Sequence, residues 1–152
     1  MLKKYLDFYG NITLQELMNK LEHAIYIDVY TDGASQYKNG NRQSGIGVYF
    51  GDQDIRNVSK LVDQHDNNDC ELLACIEALF IVQHTNQFVR IYTDSRLVSD
   101  GMNGRCTKNK FLFVELTELV KQFIDVQFIF VKGHDGNEGN EKADALSRLQ
   151  FL

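Results

Sequence analysis

Four carboxylates are spread through the chain in short motifs whose composition suits metal and phosphate chemistry. Asp32 lies in Tyr30-Thr31-Asp32-Gly33, Glu71 in Cys70-Glu71-Leu72-Leu73-Ala74, Asp94 in Tyr92-Thr93-Asp94-Ser95, and Asp144 in Gly139-Asn140-Glu141-Lys142-Ala143-Asp144. Just ahead of the fourth, His134 stands in a glycine loop, Val131-Lys132-Gly133-His134-Asp135-Gly136. Carboxylates brought together repel one another and raise their own pKa values unless a cation answers the charge. Magnesium does so well, because it is a hard, oxygen-seeking ion that keeps several waters to exchange for phosphate oxygens. An imidazole beside such a cluster adds a titratable group that can move protons. The set is suited to cation-assisted hydrolysis of a phosphodiester.

Taken singly, each residue has a plainer reading. An Asp before Gly at a strand end is usually a turn residue, and a Glu near a helix N-terminus complements the helix dipole. Asp94-Ser95 reads as a helix N-cap, Asp144 as a solvated helix position and His134 as a loop hydrogen bonder. Only the constellation reverses these readings. Asp28 shares the strand parity of Asp32 but lies about 13 Å further back at ordinary strand rise, so it falls outside a metal site, and Asp135 reads as solvated.

The elements that must position these groups follow from periodicity. Thr13-Leu14-Gln15-Glu16 is a capping box with Ile12 and Leu17 placed as a hydrophobic staple, and Leu14, Leu17, Met18 and Leu21 share one helical face. Ile25, Ile27 and Val29 then alternate with Tyr26, Asp28 and Tyr30, a strand ending at Asp32. A turn at Lys38-Asn39-Gly40-Asn41 leads into a second strand, Ser44 to Phe50, and Ile55 to Val62 reads as a third. Asn68 to about His84 is helical, Phe88 to Thr93 a strand and Arg96 to Met102 a short helix. Lys110 to Phe123 is a helix, Val126 to Val131 a strand and Asn140 to Leu149 a closing helix. Three antiparallel strands followed by alternating helix and strand predict an α/β fold, a five-stranded mixed sheet flanked by helices. Residues 1–21 read as an N-terminal extension carrying an amphipathic helix, and 22–152 as the domain.

Within that frame Asp32 and Asp94 each close a strand, and neighbouring strands lie only about 4.8 Å apart, so adjacency of the two would make the carboxylates converge. Glu71 falls in the first turn of its helix, with Ala74, Cys75 and Ala78 on the same face, small enough to let the helix sit close to the sheet.

The order and wording of the four motifs strongly resemble ribonuclease H of type 1, over roughly the last five-sixths of the chain. The resemblance implies an endonuclease that cuts the RNA strand of an RNA/DNA hybrid, with Asp32, Glu71, Asp94 and Asp144 holding two Mg2+ ions roughly 3.5 to 4 Å apart. Mn2+ is expected to substitute. Cleavage would leave a 5'-phosphate and a 3'-hydroxyl, with His134 shuttling protons or helping product leave. Substrate contacts carried over by motif are Gly33, Ala34, Ser35, Asn67, Asn68 and Asn109, the last gripping a phosphate of the DNA strand. Side chains of this type can reach the wide minor groove and the 2'-hydroxyls of such a duplex.

Departures from the family pattern are also visible. Gln64 and Asp66 stand where the family's phosphate pocket usually adds an Arg and a Thr, there is no Trp, and the stretch from Gly101 to Asn109 is too short for an extra helix and basic loop. The layout is the compact kind, similar to archaeal or reverse-transcriptase-linked domains. Arg96, Arg105, Lys108 and Lys110 form a candidate basic patch, against the reading of a charge-mixed solvated surface. A resolvase- or transposase-like DNA nuclease of the same fold, and a non-catalytic binding module, are the alternatives.

Bulk properties agree with one domain. The 152 residues are 43% hydrophobic, with a net charge of -5, so a basic surface for nucleic acid must be local. Three cysteines and no proline, with no apolar run of membrane-spanning length, predict an intracellular, cytoplasmic protein without a disulfide scaffold or membrane anchor. The apolar face of the N-terminal helix is a surface for self-association or a protein partner.

Overall fold

The computed structural model describes residues 13–83, 88–104 and 111–151. Helix α1 (Leu14–Ile25) leads into strands β1 (Tyr26–Lys38), β2 (Asn41–Tyr49) and β3 (Val58–Val62). Helix α2 (Asn67–Val82), strand β4 (Phe88–Thr93), helices α3 (Arg96–Met102) and α4 (Phe111–Val120), strand β5 (Asp125–Phe130) and helix α5 (Glu138–Arg148) complete the described chain. The strands form one mixed sheet in the order β3-β2-β1-β4-β5, with β1 parallel to β4 and β4 to β5, and the other two pairings antiparallel. The predicted α/β architecture is the observed one.

One face of the sheet carries the main core. Val29 and Val48 from the hairpin and Val89, Ile91 and Phe128 from the parallel strands meet Leu72, Cys75 and Leu79 of α2 and Phe113 and Leu116 of α4. The strands that contribute most are rich in β-branched and aromatic residues, and α2 is apolar around most of its circumference because it is buried on several sides. Helix α5 lies on the opposite face, across β1 and β2.

Several boundaries moved. Asp32 does not end its strand: β1 continues to Lys38, paired with β2 through Lys38↔Asn41. The hairpin closes at Asn39 and Gly40, with φ of 54° and 78°, the left-handed pair that a two-residue turn of this kind requires. Gly33 and Ser35 are weak strand formers, so propensity hid the extension that cross-strand pairing enforces. The third strand begins at Val58, and Ile55, placed in it by hydrophobicity, is fully exposed at 100%. Helix α2 starts at Asn67, capped by the Asp66 side chain on the Asp69 amide at 2.8 Å, which puts Glu71 in the second turn rather than the first.

The capping box of α1 is present, with the Thr13 amide donating to Glu16 at 2.9 Å and the Glu16 amide to Thr13 Oγ1 at 3.1 Å. Its expected apolar face is split. Leu17 is buried, whereas Leu14 and Met18 are 70% and 48% exposed. Ile12, the other half of the staple, lies outside the described residues.

Glycines set how closely the helices approach. A Cβ at Gly33 would collide with the Cys70–Glu71 peptide of α2, and one at Gly47 would collide with the Ala143 carbonyl and lie 2.6 Å from the Ser147 amide of α5. These are backbone atoms that cannot swing aside, so Gly47→Ala is expected to destabilise by at least the 1–3 kcal/mol typical of overpacking. Gly51→Ala, with nothing within 4 Å of its Cβ, is the control. Denaturant melts of the two variants check this, and equal midpoints would contradict the packing account.

Candidate active site

Strand register brings the first pair of carboxylates together. The parallel ladder of β1 and β4 ends at Tyr30↔Tyr92, and two further residues on each strand lead to Asp32 and Asp94, side by side at the carboxyl end of β4. Glu71 enters from α2, whose peptide is pressed on Gly33. One carboxylate oxygen from each of Asp32, Glu71 and Asp94 lies within 4.8 Å of the others. Asp144 stands outside that triangle, on the face of α5 toward β1, within hydrogen-bonding reach of the Asp32 carboxyl.

Burial makes the cluster costly. Asp32 and Glu71 are 4% and 8% exposed, and Glu71 Oε2 is buried with no hydrogen-bond partner. Both acids are pushed above the usual carboxylate range, first by loss of water and then by neighbouring negative charge. Burial also works to raise Asp144, but its hydrogen bond with Asp32 and the Arg148 guanidinium, 3.1 Å from Oδ1, outweigh it and hold Asp144 low. A cation-free site therefore favours protonation within the buried Asp32–Glu71 pair. A hard cation fits this donor set: every candidate ligand atom is a carboxylate oxygen, and one buried oxygen of Glu71 has no hydrogen-bond partner.

His134 lies in the loop between β5 and α5, exposed and with a left-handed φ of 55°. That loop runs against the cluster, since a Cβ on Gly133 would come 2.8 Å from Asp94 Oδ2, and the imidazole is near enough to act on the charge of Asp144. Its exposure leaves it free to reach a bound molecule.

Other expected contacts gather at the start of α2. The Ser35 amide donates to Asn67 Oδ1 at 2.8 Å, tying β1 to the exposed Asn67–Asn68 pair. Gly33 and Ala34 are buried. Arg96, at the first position of α3, is exposed with its guanidinium 3.9 Å from the Phe130 ring centroid. Asn109, Arg105, Lys108 and Lys110 fall outside the described residues. Asp28 is excluded from the site as expected, because Arg90 holds it through bonds of 2.7 and 3.2 Å.

Ser147 was not anticipated. Buried at 2% exposure, its hydroxyl lies 3.3 Å from Asp32 Oδ2 and 2.7 Å from the Asp144 main-chain carbonyl oxygen, joining the first carboxylate to the backbone of the helix that carries the last. Its sequence signal was its position: three residues after Asp144, on the stripe of α5 that the strand glycines accept.

Comparison with known proteins places this arrangement. The model of the RNase H family matches residues 25–151. The chain belongs to the RNase H family. A ribonuclease H of Orientia tsutsugamushi is 37% identical over 141 residues, spanning 81% of this chain and 80% of its own. A ribonuclease H of Cyanothece is 32% identical over 136 residues, spanning 79% and 85%. Among solved structures, ribonuclease H1 from the halophilic archaeon Halobacterium salinarum superposes with a TM-score of 0.65 at 26% identity, covering 81% of this chain and 95% of that one.

The raised acids give stability a defined pH dependence. Between the ordinary carboxylate range and the raised values the folded state binds more protons than the unfolded one, so cation-free stability falls as pH rises through that window. Asp144, held low, acts oppositely and only in acid. Melting scans in chelator from pH 5 to 9 should show the decline, with Mg2+ restoring stability most at the alkaline end. Asp32→Asn should flatten the decline and remove the Mg2+ response, and an unchanged response would contradict the ligand assignment.

Proposed function

We propose that this ribonuclease H cuts the RNA strand of RNA/DNA hybrids with Asp32, Glu71, Asp94 and Asp144 as the ligands of two Mg2+ ions. The observation that carries the reading is the triangle of buried Asp32 and Glu71 with half-buried Asp94, within 4.8 Å and without a hydrogen-bond partner for Glu71 Oε2. The family match over residues 25–151 supports it. A solved relative, a metagenomic ribonuclease H1 from compost, is described in complex with an RNA/DNA hybrid, at a TM-score of 0.64.

When bound, the ions polarise the scissile phosphate, activate water and steady the departing oxygen. The chain's own residues do the rest. Glu71 and Asp32 present oxygens already stripped of water, Arg148 and Ser147 fix the orientation of α5 and hence of Asp144, and Gly133 leaves room for Asp94. His134 carries a proton to or from the reacting oxygens, which its exposure and loop position allow, and the products keep a 5'-phosphate and a 3'-hydroxyl. Asn67, Asn68 and the backbone of Gly33, Ala34 and Ser35 meet the duplex, with Arg96 and, outside the described residues, Arg105, Asn109 and Lys110 as further contacts. The buried free thiols of Cys70 and Cys75 suit a reducing, cytoplasmic setting. No helix among the described residues is long and apolar enough to cross a membrane.

Residues 1–21 form an extension outside the catalytic domain, a division supported by the family match starting at residue 25. Deleting them should leave the cleavage chemistry intact but lower the melting temperature, because Leu17 is 2% exposed and its burial would be lost. Exposed Leu14 and Met18 offer a surface for self-association or a partner, so sedimentation of both chains belongs with the melt. Identical stability and association would make the extension passive.

Asp32→Asn or Asp94→Asn should abolish hybrid cleavage with the fold retained, since an amide has the same shape without the anionic oxygen. His134→Ala should slow turnover by about 10²- to 10⁴-fold while leaving Mg2+ binding intact by calorimetry. The assay compares RNA/DNA, RNA/RNA and DNA/DNA of equal length and several sequences. Preferential cutting of DNA/DNA, or normal turnover by either Asn variant, would defeat the proposal.

A further inference from the structure

Among the arginines whose side chains are described, Arg56, Arg90 and Arg148 each pair with a carboxylate, on Asp54, Asp28 and Asp144. Arg42 and Arg96 have no ion pair among the described residues; like Arg56 over Phe50 and Arg90 over Tyr26, each lies over an aromatic ring. For Arg42 the seat is Tyr37, its partner across the hairpin. The guanidinium carbon is 4.8 Å from the ring centroid, and Nε and Nη2 donate to the phenol oxygen at 3.2 and 2.6 Å. A phenol orients a guanidinium without cancelling its charge, and Asp66 attracts it only from a distance. Tyr37 is itself 68% exposed, so burial does not explain the pair.

Its location gives it a use. Tyr37 and Arg42 share the sheet face of Gly33, which packs on α2, and of Ser35, which Asn67 holds. They extend that face beyond the start of α2, on the side of the exposed Asn67–Asn68 pair. Five residues of extended strand separate Tyr37 from Asp32, about 17 Å, which is about five nucleotide steps along one strand of a duplex at ~3.4 Å each. A planar fork with free donor positions, held rigid and un-neutralised, is the arrangement that suits a phosphodiester oxygen pair.

We propose that Arg42, splinted by Tyr37 at the hairpin tip, is a backbone-phosphate anchor for the nucleic-acid substrate, about five nucleotides from the cut. The inference rests on the hybrid-nuclease reading of the carboxylate site for its substrate, but it is testable by binding alone.

Binding of a fluorescent RNA/DNA hybrid is followed by anisotropy over a range of salt, with Asp32→Asn present throughout so that no strand is cut. Adding Arg42→Ala should weaken binding several-fold and lower the slope of log affinity against log salt by about 1, one phosphate contact. Tyr37→Ala should weaken it partially, because the charge stays but its splint is lost, and Arg42→Lys should keep the salt slope. In the active chain, Arg42→Ala should raise KM and leave kcat at saturating hybrid unchanged. Hybrids with uncharged methylphosphonate links in the RNA strand only or the DNA strand only identify the strand, since the sensitive one loses its dependence on Arg42. An unchanged slope and KM in Arg42→Ala, even with a lowered melting temperature, would mean that the pair only stabilises the hairpin and would overturn the anchor. If the unaltered chain failed to cut hybrid at all, the functional reading would fall, while a salt slope that depends on Arg42 would still support the anchor.

Discussion

Two helices touch the central strands at positions where no side chain fits, and the carboxylate cluster depends on that close approach. Helix α2 rests its Cys70–Glu71 peptide on Gly33, and α5 rests the backbone of Ala143 and Ser147 on Gly47. Each of those peptides is next to a candidate ligand or to a residue that touches one. Moving either helix out by the width of a methyl group would carry Glu71 or Asp144 away from Asp32 by a comparable distance. The main core, on the α2 side, supplies the packing that holds α2 down. On the α5 side, Ser59 Oγ donates to the Leu146 carbonyl at 2.6 Å and secures the helix to the edge strand.

The same strand shows what the site gives up. Asp28 and Asp32 lie on one face of β1, four residues apart, and differ in their partners. Asp28 is held by Arg90 in a two-bond ion pair with Tyr92 adding a third contact at 3.3 Å, a satisfied structural group. Asp32 has three acids for neighbours, Glu71, Asp94 and Asp144, and a single serine hydroxyl. Buried charges are normally paired, and a folded domain has only about 5–15 kcal/mol of net stability to set against such a violation. The cluster is thus tolerable as a cation site and hard to explain as anything else.

Which parts could be read from sequence follows from this physics. Strand β4 and helix α3 were bounded correctly because their apolar patterns end in polar, cap-forming residues, Asp94 and Ser95. Asp32 was recognised through its motif while its strand was cut short, because what extends β1 to Lys38 is pairing with a partner strand, invisible to local propensity. Ile55 was drawn into a strand by its hydrophobicity and is exposed in a turn. The four carboxylates were legible as a set because their motifs are local words in a fixed order. Ser147 and the Arg42–Tyr37 pair were not, because each acts through a contact between elements that only the register and the helix seat bring together. The split face of α1 has the same origin: helical spacing marks Leu14, Leu17 and Met18 as neighbours but does not say which of them the domain reaches.

Charge raises the last question, since an acidic protein must hold an acidic polymer. Opposite charges on the surface largely cancel in local pairs, Lys60 with Glu77, Lys121 with Glu118 and Lys142 with Asp52. Such pairs add little stability, but they also remove those lysines as independent attractors. What remains positive is therefore defined by which cations lack a carboxylate, and for the described arginines those are Arg42 and Arg96, each seated on a ring. An aromatic seat withholds neutralisation while restricting motion, so each guanidinium keeps its field and loses less freedom on contact. Arg96 is two residues beyond Asp94, and Arg42 on β2 pairs with Tyr37, five residues beyond Asp32 on β1, so each flanks the outgoing end of a strand that leads to the cluster. Attraction at such flanks and repulsion at the unfilled centre would draw a duplex in as a whole while leaving its closest approach to depend on the cations that the carboxylates bind.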